Sequence, residues 1–157
     1  TTKLYKTLVG MLYLNAENND NSIDRVMCIN SCIGNLMNFF DKEVNVTCVD
    51  TDRTAIQIGN IINQKENSIN LTREDLSLNP PSERVNGMII LSDSIDMAIT
   101  DTSYLLPNGV AVLMCYVDDF ETYFATESVR KRFLQGFLMT EKYRVSSDTL
   151  LLQLKKK

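Results

Sequence analysis

The sequence contains no histidine among its 157 residues. Catalysis by a Ser-His-Asp triad, a Cys-His pair or a histidine proton shuttle is therefore excluded, because each of these needs an imidazole as its base. Any chemistry that the protein performs must use carboxylates, lysine, tyrosine, backbone groups or a cofactor.

Basic charge and long apolar runs are also scarce. The chain carries 16 Lys and Arg against 20 Asp and Glu, and its only basic clusters are residues 130–132 and 155–157. Without a broad basic face we expect no binding to nucleic acid. No apolar run approaches the roughly 20 residues that span a bilayer, and no signal peptide is visible, so we expect no membrane association and a cytoplasmic location. Because the chain begins with Thr1, we expect it to be trimmed or part of a longer protein.

The four cysteines do not form a metal-binding pattern. Most of them lie inside apolar runs, where cysteine behaves as a small hydrophobic residue in a reducing compartment. Cys28 and Cys32 are four residues apart, but Cys48 and Cys115 provide no second pair. We therefore expect neither a structural zinc ion nor another divalent metal.

Apolar strand patterns and helical patterns alternate along the chain. Strands are predicted at residues 26–29, 44–49, 68–71, 85–91, 110–117, 143–145 and 150–154, and helices at 4–14, 36–40, 54–64, 95–106 and 120–139. Continuous apolar strands between helices indicate a parallel sheet that is covered on both faces. The sequence thus predicts one Rossmann-like α/β domain over residues 1–157, with a leading helix and loop at 1–22 and a core at 23–155. Its doubly wound, mostly parallel seven-stranded sheet would end in an antiparallel C-terminal edge strand.

Two helical faces can also be predicted from spacing. In the helix at 54–64, the apolar residues Ala55, Ile58, Ile61 and Ile62 share one face and are expected to pack on the sheet. In the helix at 120–139, the same argument predicts a buried face formed by Phe133, Leu134, Phe137 and Leu138.

Polar residues follow each predicted strand, where open α/β sheets bind their ligands. They are residues 30–34 after the first strand, Asp50 and Asp52 after the second, Glu74 and Asp75 after the third, Ser92, Asp93 and Ser94 after the fourth, and Tyr116, Asp118 and Asp119 after the fifth. An acid at the end of the second strand can accept both hydroxyl protons of a ribose. It can equally cap the next helix, and the same alternative holds for the Ser92–Ser94 segment and for the Asp118–Asp119 pair.

This order of elements resembles the class I S-adenosylmethionine-dependent methyltransferases. "CVDTD" (residues 48–52) is similar to the acidic motif of that family, which implies that Asp50 and Thr51 bind the cofactor ribose. "REDL" (73–76) resembles the segment whose acid reaches the adenine amino group, which implies this role for Asp75. "YLLPNGVAVL" (104–113) resembles the turn into the fifth strand of the family.

Within that family, "MIILSD" and "DTLLLQLKKK" look most like the small O-methyltransferases. The resemblance implies methyl transfer from S-adenosylmethionine to an oxygen of a small molecule. It further implies that Asp93 and Tyr116 orient the acceptor, and that Asn30, Ser31, Gly34 and Ser92 complete the cofactor site.

The first motif of that family, an acid and then three glycines at alternate positions, is degraded here. Cys28 replaces the acid, Asn30 and Cys32 replace two glycines, and only Gly34 remains. Those glycines provide positive φ angles and a close approach of the ligand. Asn30 tolerates the left-handed conformation, whereas the Cys32 side chain is expected to project into the space of the methionine half of the cofactor. A catalytically inactive fold that serves as a binding or regulatory subunit, in a homodimer or with a protein partner, is therefore the alternative.

Overall fold

A computed structural model describes residues 2–157 of the chain. The helices are α1 (Thr2–Asn18), α2 (Arg53–Ile62), α3 (Arg73–Leu78), α4 (Ile95–Asp101), α5 (Val117–Phe124) and α6 (Glu127–Gly136). The strands are β1 (Arg25–Ile29), β2 (Asn45–Asp50), β3 (Ile69–Thr72), β4 (Val85–Leu91), β5 (Leu105–Tyr116), β6 (Phe137–Arg144) and β7 (Thr149–Lys156). Two short 3₁₀ segments cover Asn35–Phe39 and Thr102–Tyr104.

All seven strands form one sheet in the order β3-β2-β1-β4-β5-β7-β6. β1 pairs in parallel with both β2 and β4, so Cys28 lies between Cys48 and Ile89. β7 runs antiparallel to β5 and to β6, and this C-terminal hairpin completes the edge of the sheet. The predicted Rossmann-like, mostly parallel sheet is confirmed. Because the strand order reverses between β1 and β4, their carboxyl ends are where a ligand site is expected.

Helices cover both faces of the sheet. α1 and the first 3₁₀ segment pack on one face, through residues such as Leu8, Leu12 and Met37. α3, α4, α5 and α6 pack on the other, through residues such as Ile95 and Phe133. The central strands are therefore buried on both sides, which explains why they are apolar without interruption. No helix in residues 2–157 combines the length and the apolar character needed to cross a bilayer.

The predicted packing face of α2 was wrong. Ile58, Ile61 and Ile62 are 45%, 71% and 57% exposed, while Ala55 and Ile56 are buried. The cause is the close approach of α2 to the loop after β1. A Cβ atom on Gly59 would overlap the Ile33 carbonyl oxygen and lie 2.9 Å from its carbon, so only the glycine side of the helix can face that loop.

Three predicted helices end differently in the structure. The segment after β1 forms only the 3₁₀ turn Asn35–Phe39. The helix that begins at Ile95 ends at Asp101, and the predicted turn at 107–109 is a bulge in β5, where the pairing jumps from Val85–Leu105 to Gly87–Val110. The long helix predicted at 120–139 is α5 and α6 followed by the start of β6.

Because the helix ends at Gly136, before β6, the buried face predicted for it is only partly observed. Phe133 and Phe137 are buried, as predicted, and their rings stack with centroids 5.2 Å apart. Leu134 and Leu138 are instead exposed. Phe137 begins β6, and successive side chains in a strand point to opposite faces, so Leu138 cannot share the environment of Phe137.

Candidate functional site

The loop that follows β1 has a left-handed backbone at every second residue. Asn30, Cys32 and Gly34 have φ angles of 60°, 57° and 80°. These are the three positions where the methyltransferase family carries glycines. Asparagine adopts this conformation more readily than other side chains, as predicted for Asn30, but a left-handed cysteine is uncommon. The loop thus retains positive φ angles at all three positions, although two of the glycines are absent.

Asp50, at the end of β2, accepts backbone hydrogen bonds through both carboxylate oxygens, one from this loop and one from the start of α2. Oδ2 accepts a hydrogen bond from the Cys32 backbone N–H at 2.8 Å, and Oδ1 accepts one from the Asp52 N–H at 3.0 Å. Asp52 is the residue that caps α2, since its Oδ1 accepts from the Thr54 and Ala55 amides. A carboxylate offers about four lone-pair sites, so the bonds to Cys32 and Asp52 leave Asp50 able to accept two more.

The other side of the loop is pressed against α2 and β3. Asn63 Nδ2 donates to the Ile33 carbonyl at 2.6 Å, and a Cβ atom on Gly34 would overlap the Asn70 side-chain oxygen. Ser31 is 1% exposed. Of the two loop residues predicted to bind the cofactor here, Ser31 is therefore buried, and Gly34 lies against the Asn70 side chain.

A polar cavity of about 390 Å³ opens at the carboxyl ends of β1, β2 and β4. It is lined by Asn30, Asp50, Thr51, Arg73, Ser92, Asp93 and Met97. Four of the predicted cofactor residues, Asn30, Asp50, Thr51 and Ser92, therefore meet around one space. Asp75 does not line it, because its carboxylate lies on the surface, 4.0 Å from the Arg53 guanidinium.

Arg73 and Met97 line the polar cavity but were missed in the sequence. Arg73 directly follows β3 and precedes Glu74 and Asp75. Its position after a strand could therefore have identified it as a residue at the ligand-binding edge of the sheet. Its guanidinium forms two hydrogen bonds of 2.7 Å with Asp101, and these raise the pKa of Arg73. Met97 lies on the first turns of α4, and no pattern in the sequence distinguishes it from a surface residue.

A second, larger cavity of about 470 Å³ lies beside the first. Its walls are mainly apolar, and its lining comprises Leu4, Leu91, Ser92, Asp93, Met114, Cys115, Tyr116, Val145, Ser146 and Thr149. We call it the apolar cavity. Both residues predicted to orient the acceptor, Asp93 and Tyr116, line it, and Ser92 and Asp93 are shared with the polar cavity.

The residues around Asp93 explain how it is presented to both cavities. Ser94 caps α4 by accepting from the Met97 amide, and Asp119 accepts from the Ile95 amide at 2.9 Å. Ser92 is bonded to the backbone of Ser94. The capping alternative therefore applies to Ser94 and Asp119, while Asp93 stays outside the capping contacts. Nearby, burial raises the pKa of the Cys115 thiol to about 11, so this thiol is protonated at neutral pH.

Asn30, and not Cys32, presents a side chain to the site. Cys32, which was expected to project into the space of the methionine half of the cofactor, is exposed and lines neither cavity. The Asn30 amide Nδ2 donates to the Leu91 carbonyl at 2.8 Å, between the ends of β1 and β4. Within residues 2–157, no three Cys, Asp or Glu side chains are grouped as a metal ion would require.

No protein-family model matches the chain, and no curated protein matches it in sequence. Solved structures do match. The N-methyltransferase NodS from Bradyrhizobium japonicum WM9 is 12% identical over 99% of this chain and 95% of its own, with a TM-score of 0.68. The plantazolicin methyltransferase BpumL, solved with S-adenosylhomocysteine (SAH), is 10% identical over 98% of this chain and 83% of its own, with a TM-score of 0.69.

An rRNA methylase from Streptococcus thermophilus is also similar, at 14% identity over 95% of this chain and 96% of its own, with a TM-score of 0.64. Because this neighbour is an rRNA methylase, the likeness in fold gives no support to the predicted exclusion of nucleic acid. The neighbours are class I methyltransferases, as the sequence resemblance predicted, and the chain has their fold.

Proposed function

We propose that the protein binds S-adenosylmethionine with its nucleoside half in the polar cavity and transfers the methyl group to an oxygen of a small molecule in the apolar cavity. The observation that carries this proposal is the meeting of the two cavities at Ser92 and Asp93, at the carboxyl edge of the sheet. A polar space for the donor and an apolar space for the acceptor are what the transfer of a group between two bound molecules requires.

The residues around the polar cavity fit the nucleoside half of the cofactor. Asp50 has two unused lone-pair sites for the ribose hydroxyl protons, and Thr51 lies beside it in the wall of the cavity. The loop retains positive φ at Asn30, Cys32 and Gly34. Bound there, S-adenosylmethionine would supply the methyl group.

The protein's own contribution is to align the acceptor and exclude water, so the lack of histidine is no obstacle. Asp93 accepts a hydrogen bond from the acceptor hydroxyl and takes up its proton as the oxygen is methylated, SAH is released, and Tyr116 provides a second polar contact. Leu4, Leu91 and Met114 hold the apolar body of the acceptor. A cytoplasmic location is part of this proposal and is supported by four unpaired cysteines in the described residues.

A specific observation favours a second candidate, a catalytically inactive fold that acts as a binding or regulatory subunit in a homodimer or with another protein. Both oxygens of Asp50 already accept backbone hydrogen bonds, and the Asn30 side chain lies between the ends of β1 and β4. Both contacts stabilise the loop without any ligand.

Isothermal titration with S-adenosylmethionine and with SAH separates the two candidates. The enzyme predicts micromolar binding that is lost in Asp50→Ala and kept in Glu66→Gln, a carboxylate removed from an exposed turn. Asp50→Asn tests the ribose contact more gently, since its remaining carbonyl oxygen can still accept from a loop amide. No binding at millimolar ligand would leave only the inactive fold.

Methyl transfer is then measured with labelled S-adenosylmethionine and a panel of hydroxylated, largely apolar small molecules. We expect Asp93→Asn to lower the rate more than Tyr116→Phe, because the charged acceptor of a hydrogen bond contributes more than a neutral one. Equal rates in wild type and Asp93→Asn would refute the proposed role of Asp93 in binding the acceptor.

A further inference from the structure

The Asn30 side chain extends the sheet beyond its last backbone pair. The ladder between β1 and β4 ends with the pair Ile29–Ile90. One residue further, the Asn30 amide Nδ2 donates to the Leu91 carbonyl at 2.8 Å. A glycine at position 30 could not make this bond. The point where the strand order reverses is therefore bridged by a side chain in this protein.

This bridge lies between the two cavities. Asn30 lines the polar cavity but not the apolar one, and Leu91 lines the apolar cavity but not the polar one. The hydrogen bond thus joins one wall of each space, next to the shared residues Ser92 and Asp93. Two reacting groups must approach to about 3–3.5 Å, and this bond lies at the boundary across which a donor and an acceptor would approach each other.

The bridge can open without rearranging the loop. The Asn30 backbone is held separately, because its N–H donates to the Val49 carbonyl at 2.7 Å, and Asp50 fixes the adjacent Cys32. Rotation of one side chain therefore breaks a single hydrogen bond while the left-handed backbone stays in place. The cost of opening is that of one hydrogen bond and one rotamer change.

We propose that Asn30 is a gate between the two cavities, closed by its hydrogen bond to Leu91 and opened when a ligand extends from the polar cavity into the apolar one. The gate rests on the proposed function, because it concerns the path of the ligand through that site. Under this proposal, the Asn30 side chain determines whether a ligand can extend from one cavity into the other. A ligand that occupies the polar cavity alone leaves the gate closed.

Asn30→Gly tests the gate, with adenosine and SAH as ligands of different length. Glycine adopts a φ of 60° freely, so the variant is expected to fold, which thermal melting verifies. We expect the variant to bind SAH about tenfold more tightly than wild type, equivalent to about 1.4 kcal/mol, and adenosine with an affinity within about twofold of wild type. Asn67→Gly is the matched control, because Asn67 is another left-handed asparagine, with a φ of 61° in an exposed turn.

Four outcomes would overturn the gate: no binding of SAH to Asn30→Gly, equal SAH affinities in variant and wild type, an equal gain for adenosine and SAH, or the same gain in Asn67→Gly. The proposed function is judged separately by wild type. If SAH binds to wild type and its affinity does not rise in Asn30→Gly, the gate is refuted while the proposed function is retained. Binding only after Asn30→Gly supports the gate and indicates that the native chain is the inactive form.

Discussion

Replacing Gly34 by alanine should strongly destabilise the loop between β1 and the first 3₁₀ segment. Gly34 has a φ of 80°, which costs a residue with a Cβ atom about 1–2 kcal/mol. The added Cβ would also overlap Asn70 Oδ1 and lie 2.9 Å from Asn70 Cγ. Asn70 is 2% exposed and has no room to withdraw, so overpacking adds about 1–3 kcal/mol. Alanine restricts the unfolded chain and returns about 0.4–1 kcal/mol, which leaves a net loss of about 1–4.6 kcal/mol.

Urea unfolding followed by circular dichroism measures this loss. Gly10→Ala is the matched control, because Gly10 lies inside α1, where an added Cβ atom would meet no other atom within 4 Å. The same chemical change should there stabilise the protein by about 0.5–1 kcal/mol. The two glycine substitutions are therefore expected to have opposite signs.

A double-mutant cycle separates strain from overlap. In an Asn70→Ala background, Gly34→Ala should cost only the φ strain less the gain from the restricted unfolded chain, about 0–1.6 kcal/mol, since the overlapping amide has gone. A loss below about 0.5 kcal/mol for Gly34→Ala in the wild-type background would refute the reasoning. An undiminished loss after Asn70→Ala would assign the whole effect to backbone strain.

Two further predictions concern α2 and the thiols. Ile56→Ala should cost about 2–4 kcal/mol in urea unfolding because Ile56 is 5% exposed, whereas Ile61→Ala should change stability by less than about 0.5 kcal/mol; equal losses would contradict the observed face of α2. In native protein at pH 8, a thiol reagent should label only Cys32 rapidly, and Cys32→Ser should abolish that phase, whereas fast labelling of a second thiol would refute this. Burial raises the pKa of Cys115 to about 11, and a hydrogen bond with Cys48 raises that of Cys28, so both stay protonated at pH 8. The stability that the protonated Cys115 contributes is present below pH 9 and is lost as pH rises toward 11.

Burial on both faces decides which elements the sequence predicts well. β4 was predicted at residues 85–91 and is observed at Val85–Leu91, because a strand covered on both sides must be apolar throughout. The face of α2 could not be predicted in the same way. Its orientation depends on the contact of Gly59 with Ile33, and that contact brings together residues 26 positions apart in the sequence.

The position after a strand was sufficient to find most of the residues that line the polar cavity. Asn30, Asp50, Ser92, Asp93 and Tyr116 all line a cavity because parallel strands end at the same edge of the sheet. The position of Asp75 required more than this rule. Thr72 caps α3 by accepting from the Asp75 amide, and on that helix the Asp75 carboxylate lies beside Arg53 at the surface.

The glycine-poor loop shows that the loss of a motif can affect the backbone conformation and the side chains differently. Two of the glycines of that motif are missing, yet Asn30 and Cys32 both have positive φ angles. The hydrogen bond from Cys32 to Asp50 and the bonds from Asn30 and Ser31 to the Val49 carbonyl stabilise that conformation from outside the motif. Replacing the two glycines therefore adds two side chains. One of them, the exposed Cys32, lines neither cavity. At the proposed cofactor site, the main addition of the degraded motif is thus the Asn30 amide, a single group that one substitution can remove.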